Sequence, residues 1–217
     1  MIDGIRLKVC GLTSLADAEL ADRCGADYLG FIFFEQSPRH IGHETFRAMA
    51  ARLPDRKKVA VTVEPAPADL AALNAVGFDF FQIHFRHDLP VSQVASWAET
   101  VGVDRLWLAP KLPPGIDVPA ALLPLAQHFL LDTFRGEKFG GTGATGDWKK
   151  FASHRQSYPE KTWILSGGLN PENIDEALRA SGTKFVDVNS GVESAPGVKD
   201  LEKLQRFAVR LHEAAVR

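Results

Sequence analysis

Short, nearly continuous apolar runs alternate with amphipathic stretches from one end of the chain to the other. Such runs are typical of parallel strands that are buried on both faces of a sheet. The pattern predicts eight strands, over Leu7–Val9, Tyr28–Phe33, Lys58–Val63, Phe80–His84, Arg105–Ala109, Phe129–Asp132, Trp163–Leu165 and Phe185–Val188.

The stretches between these runs have helical spacing. Ser14 and Asp17 predict a capped helix start, followed by apolar residues at three-residue intervals. Asn170-Pro171-Glu172 predicts a second start, with an N-cap, a first-turn proline and an acid for the helix dipole. Four prolines in Lys111–Pro124 leave room for only a short fifth helix.

Glycines recur at fixed intervals before the apolar runs. Gly25, Gly77, Gly102 and Gly182 each follow a helix-like stretch, where a left-handed cap is expected. Their separations are near multiples of about 26 residues, and eight units of that size would fill the chain.

Strands that alternate with helices predict parallel pairing and right-handed crossovers. Eight such units predict an α/β fold, a single (β/α)8 TIM barrel, with residues 1–217 as one catalytic domain. An open doubly wound sheet is the alternative. It usually has fewer strands and a phosphate loop after the first one, and Cys10-Gly11-Leu12-Thr13 is not such a loop.

Composition narrows the function classes. The net charge of −2 argues against nucleic-acid binding, and no apolar run reaches the roughly 18 residues of a membrane span. The two cysteines form no CxxC pair, which fits a reducing cytoplasm, and the seven histidines form no metal-binding pattern. We therefore expect a cytoplasmic protein with no metal site and no nucleic-acid or membrane partner. The sequence leaves monomer or homodimer open.

In a barrel of this kind the active site lies at the carboxyl ends of the strands. Gly167 and Gly168 follow the seventh strand, and Ser190 and Gly191 follow the eighth. Glycine loops before helix starts let backbone N–H groups approach an anion. A single pair would be read as a tight turn, but two pairs in adjacent loops predict a phosphate site.

Two reactive side chains end strands at the same rim. Cys10 ends the first strand, whereas Cys24 falls on an apolar helix stripe and is expected to be structural. Asp132 ends the sixth strand and could be either a turn carboxylate or an acid with a raised pKa. Facing each other across the mouth, Cys10 and Asp132 are predicted to act as an acid–base pair.

Three further features belong to this rim. Arg39 is either a surface cation or a bidentate clamp for a carboxylate, and His84 ends the fourth strand with a predicted role in binding. The glycine-rich segment Gly140–Gly146, after Asp132, predicts a mobile lid.

Blocks along nearly the whole chain resemble one enzyme family, phosphoribosylanthranilate isomerase of tryptophan biosynthesis. The similar blocks are Lys8-Val9-Cys10-Gly11-Leu12-Thr13, Gly30-Phe31-Ile32-Phe33 with Ser37-Pro38-Arg39, Gln82-Ile83-His84, Leu131-Asp132-Thr133, Gly140-Gly141-Thr142-Gly143 with Asp147-Trp148, Ser166-Gly167-Gly168-Leu169-Asn170-Pro171-Glu172-Asn173, Val186-Asp187-Val188, Ser190-Gly191-Val192-Glu193 and Pro196-Gly197-Val198-Lys199-Asp200.

The resemblance implies a cofactor-free Amadori rearrangement of N-(5-phosphoribosyl)anthranilate, a small phosphosugar substrate. It implies that Asp132 opens the sugar ring as general acid and that Cys10 takes the C2 proton as general base. It also implies that Arg39 holds the anthranilate carboxylate and that Asp187 contacts the sugar or orders the site. The phosphate would then be held by Gly167, Gly168, Ser190 and Gly191.

The chain departs from the family pattern in places. Phe85-Arg86-His87-Asp88 follows His84, where glycine and acids are usual, and the lid carries Ala144 and Gly146 where lysine and an aromatic are usual. Asn189 replaces a more common serine. Two other hypotheses stay open: a related sugar-phosphate isomerase of histidine biosynthesis, or a dual-substrate version of it, and a phosphosugar-binding paralogue without turnover.

Overall fold

A computed structural model describes residues 1–132 and 147–216, and these form a closed barrel of eight parallel strands. The strands are paired in chain order, and the first pairs with the last from Arg6↔Phe185 to Val9↔Val188. The predicted (β/α)8 TIM barrel is therefore confirmed. The strands are β1 Arg6–Val9, β2 Tyr28–Ile32, β3 Lys57–Val63, β4 Phe80–Arg86, β5 Leu106–Lys111, β6 His128–Leu131, β7 Thr162–Leu165 and β8 Phe185–Val188.

Helices surround the barrel between the strands. The α-helices in the described ranges are α1 Leu15–Arg23, α2 His43–Ala50, α3 Pro67–Val76, α4 Val91–Val101, α5 Trp148–Ser157, α6 Ile174–Ser181 and α7 Leu201–Ala215. Between β5 and β6 the chain forms a 3-10 helix, Ala120–Leu125, as expected from its prolines. A small hairpin, β9 Glu193–Ala195 with β10 Val198–Lys199, follows β8.

Two local predictions have different outcomes. The Ser14 hydroxyl accepts the N–H of Asp17 and caps α1, as predicted. The predicted helix start at Asn170 is wrong, because α6 begins at Ile174. The Asn170 side chain instead accepts the N–H groups of Glu172 and Asn173, which satisfies them in a turn.

The apolar core has two layers. Outward-facing strand residues such as Leu7, Val9 and Phe31 are fully buried against the helices. Val59, Val61 and Ile164 fill the barrel interior. Because both faces of the strands are buried, the apolar runs of the sequence are nearly continuous.

Aromatic side chains fill the barrel at the amino ends of its strands. Tyr28 stacks on Phe185 at 4.8 Å, and Trp107 stacks on His128 with ring centroids 5.4 Å apart. Phe80 contacts Trp107 at 5.2 Å. This aromatic layer packs the bottom of the barrel, so the cavity with polar side chains described below lies at the opposite end.

None of the helices in the described ranges is long and apolar enough to cross a membrane.

Candidate active site

The carboxyl ends of the strands bring most of the predicted site residues to one cavity. Cys10, His84 and Asp132 line it from β1, β4 and the end of β6. Gly167 and Gly168 line it from the loop after β7, and Asp187, Asn189 and Ser190 line it from β8 and the loop that follows. Residues from distant parts of the sequence thus converge, as the barrel geometry requires.

Cys10 lies one residue past β1, where the backbone still belongs to the barrel. Its N–H donates to Val188 O at 2.9 Å, and the residue is only 4% exposed. Burial raises the pKa of the thiol, although the positive charge of Lys8 opposes this shift. Cys10 is therefore held rigidly at the cavity floor and is mostly a thiol at neutral pH.

Lys8 and Asp187 form a buried ion pair below Cys10. Lys8 Nζ donates to Asp187 Oδ2 at 2.9 Å, and the two side chains are 0% and 5% exposed. Burial alone would lower the pKa of Lys8, but Asp187 and Cys10 raise it above its usual value, so the amine stays protonated. The second carboxylate oxygen, Asp187 Oδ1, is buried without a hydrogen-bond partner among the described residues.

His84 is neutral in this cavity. Burial, together with the positive charges of Lys8 and Lys111, lowers the pKa of His84 to about 4. The Gln82 amide donates to His84 Nε2 at 2.7 Å. Gln82 Oε1 is buried without a hydrogen-bond partner in the described ranges. Gln82 and Asp187 thus each keep an acceptor oxygen for a hydroxyl group.

The loop after β7 has a backbone conformation that favours glycine at two consecutive positions. Gly167 and Gly168 have φ values of +94° and +66°, which side chains rarely adopt. The side-chain amides of Asn170 and Asn173 both donate to Gly168 O and fix the loop. In the part of the chain that the structure describes, the N–H groups of Gly167 and Gly168 have no acceptor, so they can bind an anion.

The loop after β8 packs directly on the loop after β7. Ser190 lines the cavity, whereas Gly191 does not. A Cβ at position 191 would lie 1.9 Å from Leu169 O and 2.8 Å from Asn170 Cβ. Gly191 is therefore required for the close approach of the two loops.

Comparisons with known proteins decide the family. The family model described as N-(5'phosphoribosyl)anthranilate (PRA) isomerase matches residues 7–210. N-(5'-phosphoribosyl)anthranilate isomerase of Zymomonas mobilis is 37% identical over 213 residues, which cover 95% of this chain and 99% of that protein. The chain belongs to the PRA isomerase family.

Solved structures of PRA isomerases have the same fold. The crystal structure of phosphoribosyl anthranilate isomerase from Thermotoga maritima has a TM-score of 0.81 and 32% identity, covering 96% of this chain and 98% of that one. A PRA isomerase in complex with reduced 1-(o-carboxyphenylamino)-1-deoxyribulose 5-phosphate has a TM-score of 0.79 and 31% identity, covering 96% and 99%. As a PRA isomerase family member, the chain is an isomerase of tryptophan biosynthesis.

Arg39 lies beside this PRA isomerase cavity but is already paired. Its Nε and Nη2 donate to the Glu193 carboxylate at 2.7–3.1 Å. A Cβ at Gly11 would lie 2.8 Å from Arg39 Cδ and 2.6 Å from Asn189 Oδ1, which places the arginine next to the loop after β8. Arg39 is not among the residues that line the cavity around Cys10.

Glu193 joins Arg39 to a second buried cation. Lys199 Nζ donates to Glu193 Oε1 and to Asn189 Oδ1, both at 3.0 Å. Although burial opposes the shift, hydrogen bonds from Arg39 and Lys199 lower the pKa of Glu193 below its usual value. This network fixes both Arg39 and the start of the loop after β8.

The sequence prediction missed four polar residues that shape the PRA isomerase site. Lys8 and Gln82 each interrupt an otherwise apolar strand, and this interruption is the signal that could have identified them. Glu193 and Lys199 lie beyond β8 and do not end a barrel strand, so only the fold reveals their contact.

Part of the prediction lies outside the described residues. The predicted lid Gly140–Gly146, with Ala144 and Gly146, falls in the range 133–146. In residues 1–132 and 147–216, no group of three His, Cys, Asp or Glu side chains could hold a metal ion.

Proposed function

We propose that this chain catalyses the Amadori rearrangement of N-(5'-phosphoribosyl)anthranilate to 1-(2-carboxyphenylamino)-1-deoxyribulose 5-phosphate. The observation that carries the proposal is that Cys10 and Asp132 line one cavity together with Gly167, Gly168 and Ser190. An acid, a base and an anion site within one cavity are what a phosphosugar isomerisation needs.

Asp132 and Cys10 divide the proton transfers between them. Asp132 gives a proton to the ring oxygen, the C1–O bond breaks, and the anthranilate nitrogen forms a Schiff base with C1. The Cys10 thiolate then removes the C2 proton, which leaves an enamine. The enamine loses its O2 proton and gains one at C1 to become the ketone, so product and substrate have the same atoms.

The phosphate and the anthranilate carboxylate hold the two ends of the substrate. Backbone N–H groups of Gly167 and Gly168, with Ser190, bind the phosphate at the joined loops after β7 and β8. Gly191 supports that site by its contact with Leu169. Residues 1–217 serve as one catalytic domain, because the first and the last barrel strands both supply residues to the cavity.

Arg39 binds the anthranilate carboxylate through the part of its guanidinium that Glu193 leaves available. Among the described residues, Glu193 accepts from Nε and Nη2, which leaves the Nη1 amino group to bind a second carboxylate. Glu193 thereby orients Arg39 before substrate binds. Asp187 Oδ1 and Gln82 Oε1 accept hydrogen bonds from the sugar hydroxyls.

The direct test follows the loss of anthranilate fluorescence with freshly made substrate and purified protein. We expect turnover by the wild-type chain, and the aminoimidazole substrate of histidine biosynthesis, tested in parallel, should not turn over. Product binding without turnover, with Asp132→Asn indistinguishable from wild type, would instead establish a phosphosugar-binding paralogue.

A further inference from the structure

The interior of the barrel holds an ion pair whose cation, Lys8, has no role in the reaction described above. Lys8 is completely buried, and its ammonium contacts the equally enclosed Asp187 carboxylate at 2.9 Å. A buried ion pair of this kind contributes little net stability, because desolvating both charges offsets their attraction. Apolar side chains of similar volume would pack these positions equally well. We therefore expect a functional role for the ion pair.

Lys8 lies directly beside Cys10. Cys10 directly follows β1 and lies two positions after Lys8, so the two side chains face the same side of this extended segment. Across from them, a Cβ at Gly30 would lie 2.9 Å from Lys8 Cε and 3.0 Å from Cys10 Sγ. Both side chains therefore run past the same point of β2, and the absence of a side chain at Gly30 leaves them that space.

We propose that Lys8 is a positioning residue for the isomerisation: its ammonium, held by Asp187, lies next to Cys10 and stabilises the thiolate that takes the substrate proton. The inference rests on the proposed role of Cys10 as base. Lys8 acts through Cys10 and needs no contact with substrate.

Several charged or titratable groups surround the thiol from different elements. They are Lys8 on β1, Asp187 on β8, Lys199 on β10, His84 on β4 and Asp132 after β6. Burial is the largest influence and raises the pKa of Cys10. Lys8 lowers it through its charge and through a direct hydrogen bond to the thiol, whereas Asp187 raises it through its charge alone. Replacing both members of the ion pair by neutral residues should therefore raise the pKa of Cys10.

The test replaces the pair by neutral side chains of similar size, Lys8→Met with Asp187→Asn, so that neither charge is left buried alone. The rate of alkylation of Cys10 by iodoacetamide, followed by peptide mass spectrometry across pH, reports its thiolate fraction. We expect the rate near neutral pH to fall about tenfold, as a shift of about one pKa unit requires. The difference in the Cys10 alkylation rate between the wild-type protein and the double variant should become smaller as the pH rises.

Cys24 provides an internal control in the same molecule. It lies at the end of α1, away from the ion pair, and its pKa responds to burial and Arg23. Its alkylation rate should be the same in both proteins. A second pair, Lys8→Gln with Asp187→Asn, keeps a hydrogen bond between the two positions and carries the same expectation, so the test does not depend on one variant folding.

The outcomes separate this inference from the proposed reaction. An unchanged Cys10 rate in either folded variant overturns the role of Lys8, and the isomerase mechanism stands if Cys10→Ala is still inactive. Full turnover by Cys10→Ala overturns the role of Cys10 and, with it, that of Lys8. Slower alkylation of Cys10 in the double variants supports the proposal if the rising limb of kcat/KM also moves to higher pH. That movement should equal the increase in the pKa of Cys10.

Discussion

At the scale of single residues, Cys10 is the group whose surroundings matter most. Burial favours the neutral thiol, whereas Lys8 favours the thiolate, and burial has the larger effect. The thiolate is therefore a minor species in the resting site at neutral pH. In the proposed mechanism, the fraction of Cys10 present as thiolate sets how the rate depends on pH and on substitutions near the thiol.

Removing either member of the proposed acid–base pair should abolish most of the activity. Cys10→Ala and Asp132→Asn should each lower kcat by about 10²–10⁴-fold, which is the usual contribution of a positioned acid or base. Steady-state kinetics by anthranilate fluorescence measures the effect. Cys24→Ala removes the other thiol and should leave kcat unchanged, and folded Cys10→Ala with wild-type kcat would refute the assigned base.

The value of kcat/KM should rise with pH through the neutral range. The physical reason is that the thiolate fraction of Cys10 increases as the pH approaches the raised pKa of the thiol. His84 cannot produce this rise, because its pKa of about 4 keeps it neutral throughout. The His84→Asn variant should therefore keep the position of the rising limb. If kcat/KM no longer rises with pH in His84→Asn, the group that titrates in this range is His84 and not Cys10.

Arg39→Ala should chiefly raise KM, because in the proposed mechanism the arginine binds the substrate carboxylate in both the ground state and the transition state. A fall in kcat as well would show that Arg39 also orients the reacting sugar. Arg47→Ala, on the exposed surface of α2, is the matched control and should change neither constant. An unchanged KM in Arg39→Ala would contradict the proposed clamp.

At the scale of elements, strand positions could be predicted because burial on both faces leaves an apolar run. The start of α6 could not, because Asn170 binds the N–H groups of Glu172 and Asn173 through its own side chain. Gly102 shows a similar limit: it ends α4 with φ +89° but ψ 141°, outside the left-handed helical region that Gly77 and Gly182 adopt.

The cavity-lining residues at strand ends could be predicted from the sequence, because active sites of (β/α)8 barrels lie at the carboxyl ends of the strands. Cys10, His84 and Asp132 were found in this way, and all three line the cavity. Lys8 was missed since it lies inside a strand, where sequence reasoning expects packing. The pairing of Arg39 with Glu193 joins residues 154 positions apart, and no local pattern encodes it.

Gly191→Ala should weaken substrate binding by separating the two loops that are proposed to bind the phosphate. The added Cβ would meet Leu169 O at 1.9 Å, so one loop must move. We expect a higher KM and a lower melting temperature, measured by kinetics and by thermal unfolding.

Gly42→Ala is the matched control for this substitution, because Gly42 has an ordinary φ of −73° and open space at its Cβ position. It should leave KM unchanged and lower the melting temperature less than Gly191→Ala does, because Gly42 is the N-cap of α2, where alanine is only moderately unfavourable. A Gly191→Ala protein with wild-type KM would show that the loop contact does not support phosphate binding.

At the scale of the whole molecule, the aromatic layer closes one end of the barrel and contains an unusual member. His128 stacks on Trp107, and its Nδ1 is buried without a hydrogen-bond partner among the described residues. Burial, followed by the charge of Arg6, lowers the pKa of His128 to about 4. The folded barrel therefore holds His128 in its neutral form above about pH 4.

The stability of the protein should fall as the pH decreases below about 6.5. The unfolded chain binds a proton at His128 near its reference pKa of about 6.5, whereas the folded chain does not until about pH 4. The contribution of His128 to the free energy of unfolding is therefore fully present above pH 6.5 and decreases as the pH falls to 4. Between pH 7 and pH 5 this group should cost about 2 kcal/mol.

Urea unfolding at the two pH values measures this loss. His128→Phe keeps the stacking on Trp107 and removes the titrating group, so the variant should lose about 2 kcal/mol less than wild type over the same interval. Equal losses in the two proteins would mean that other groups govern the acid sensitivity.

The contact between Gly191 and Leu169 has a consequence for the affinity of the proposed phosphate site. Two loops whose backbones touch cannot rearrange independently, so the anion enters a receptor that already has its bound shape. Little conformational entropy is then spent on ordering the loops when the phosphate arrives. The substrate's phosphate can therefore supply a larger share of its interaction energy to net binding than it could with two separately moving loops.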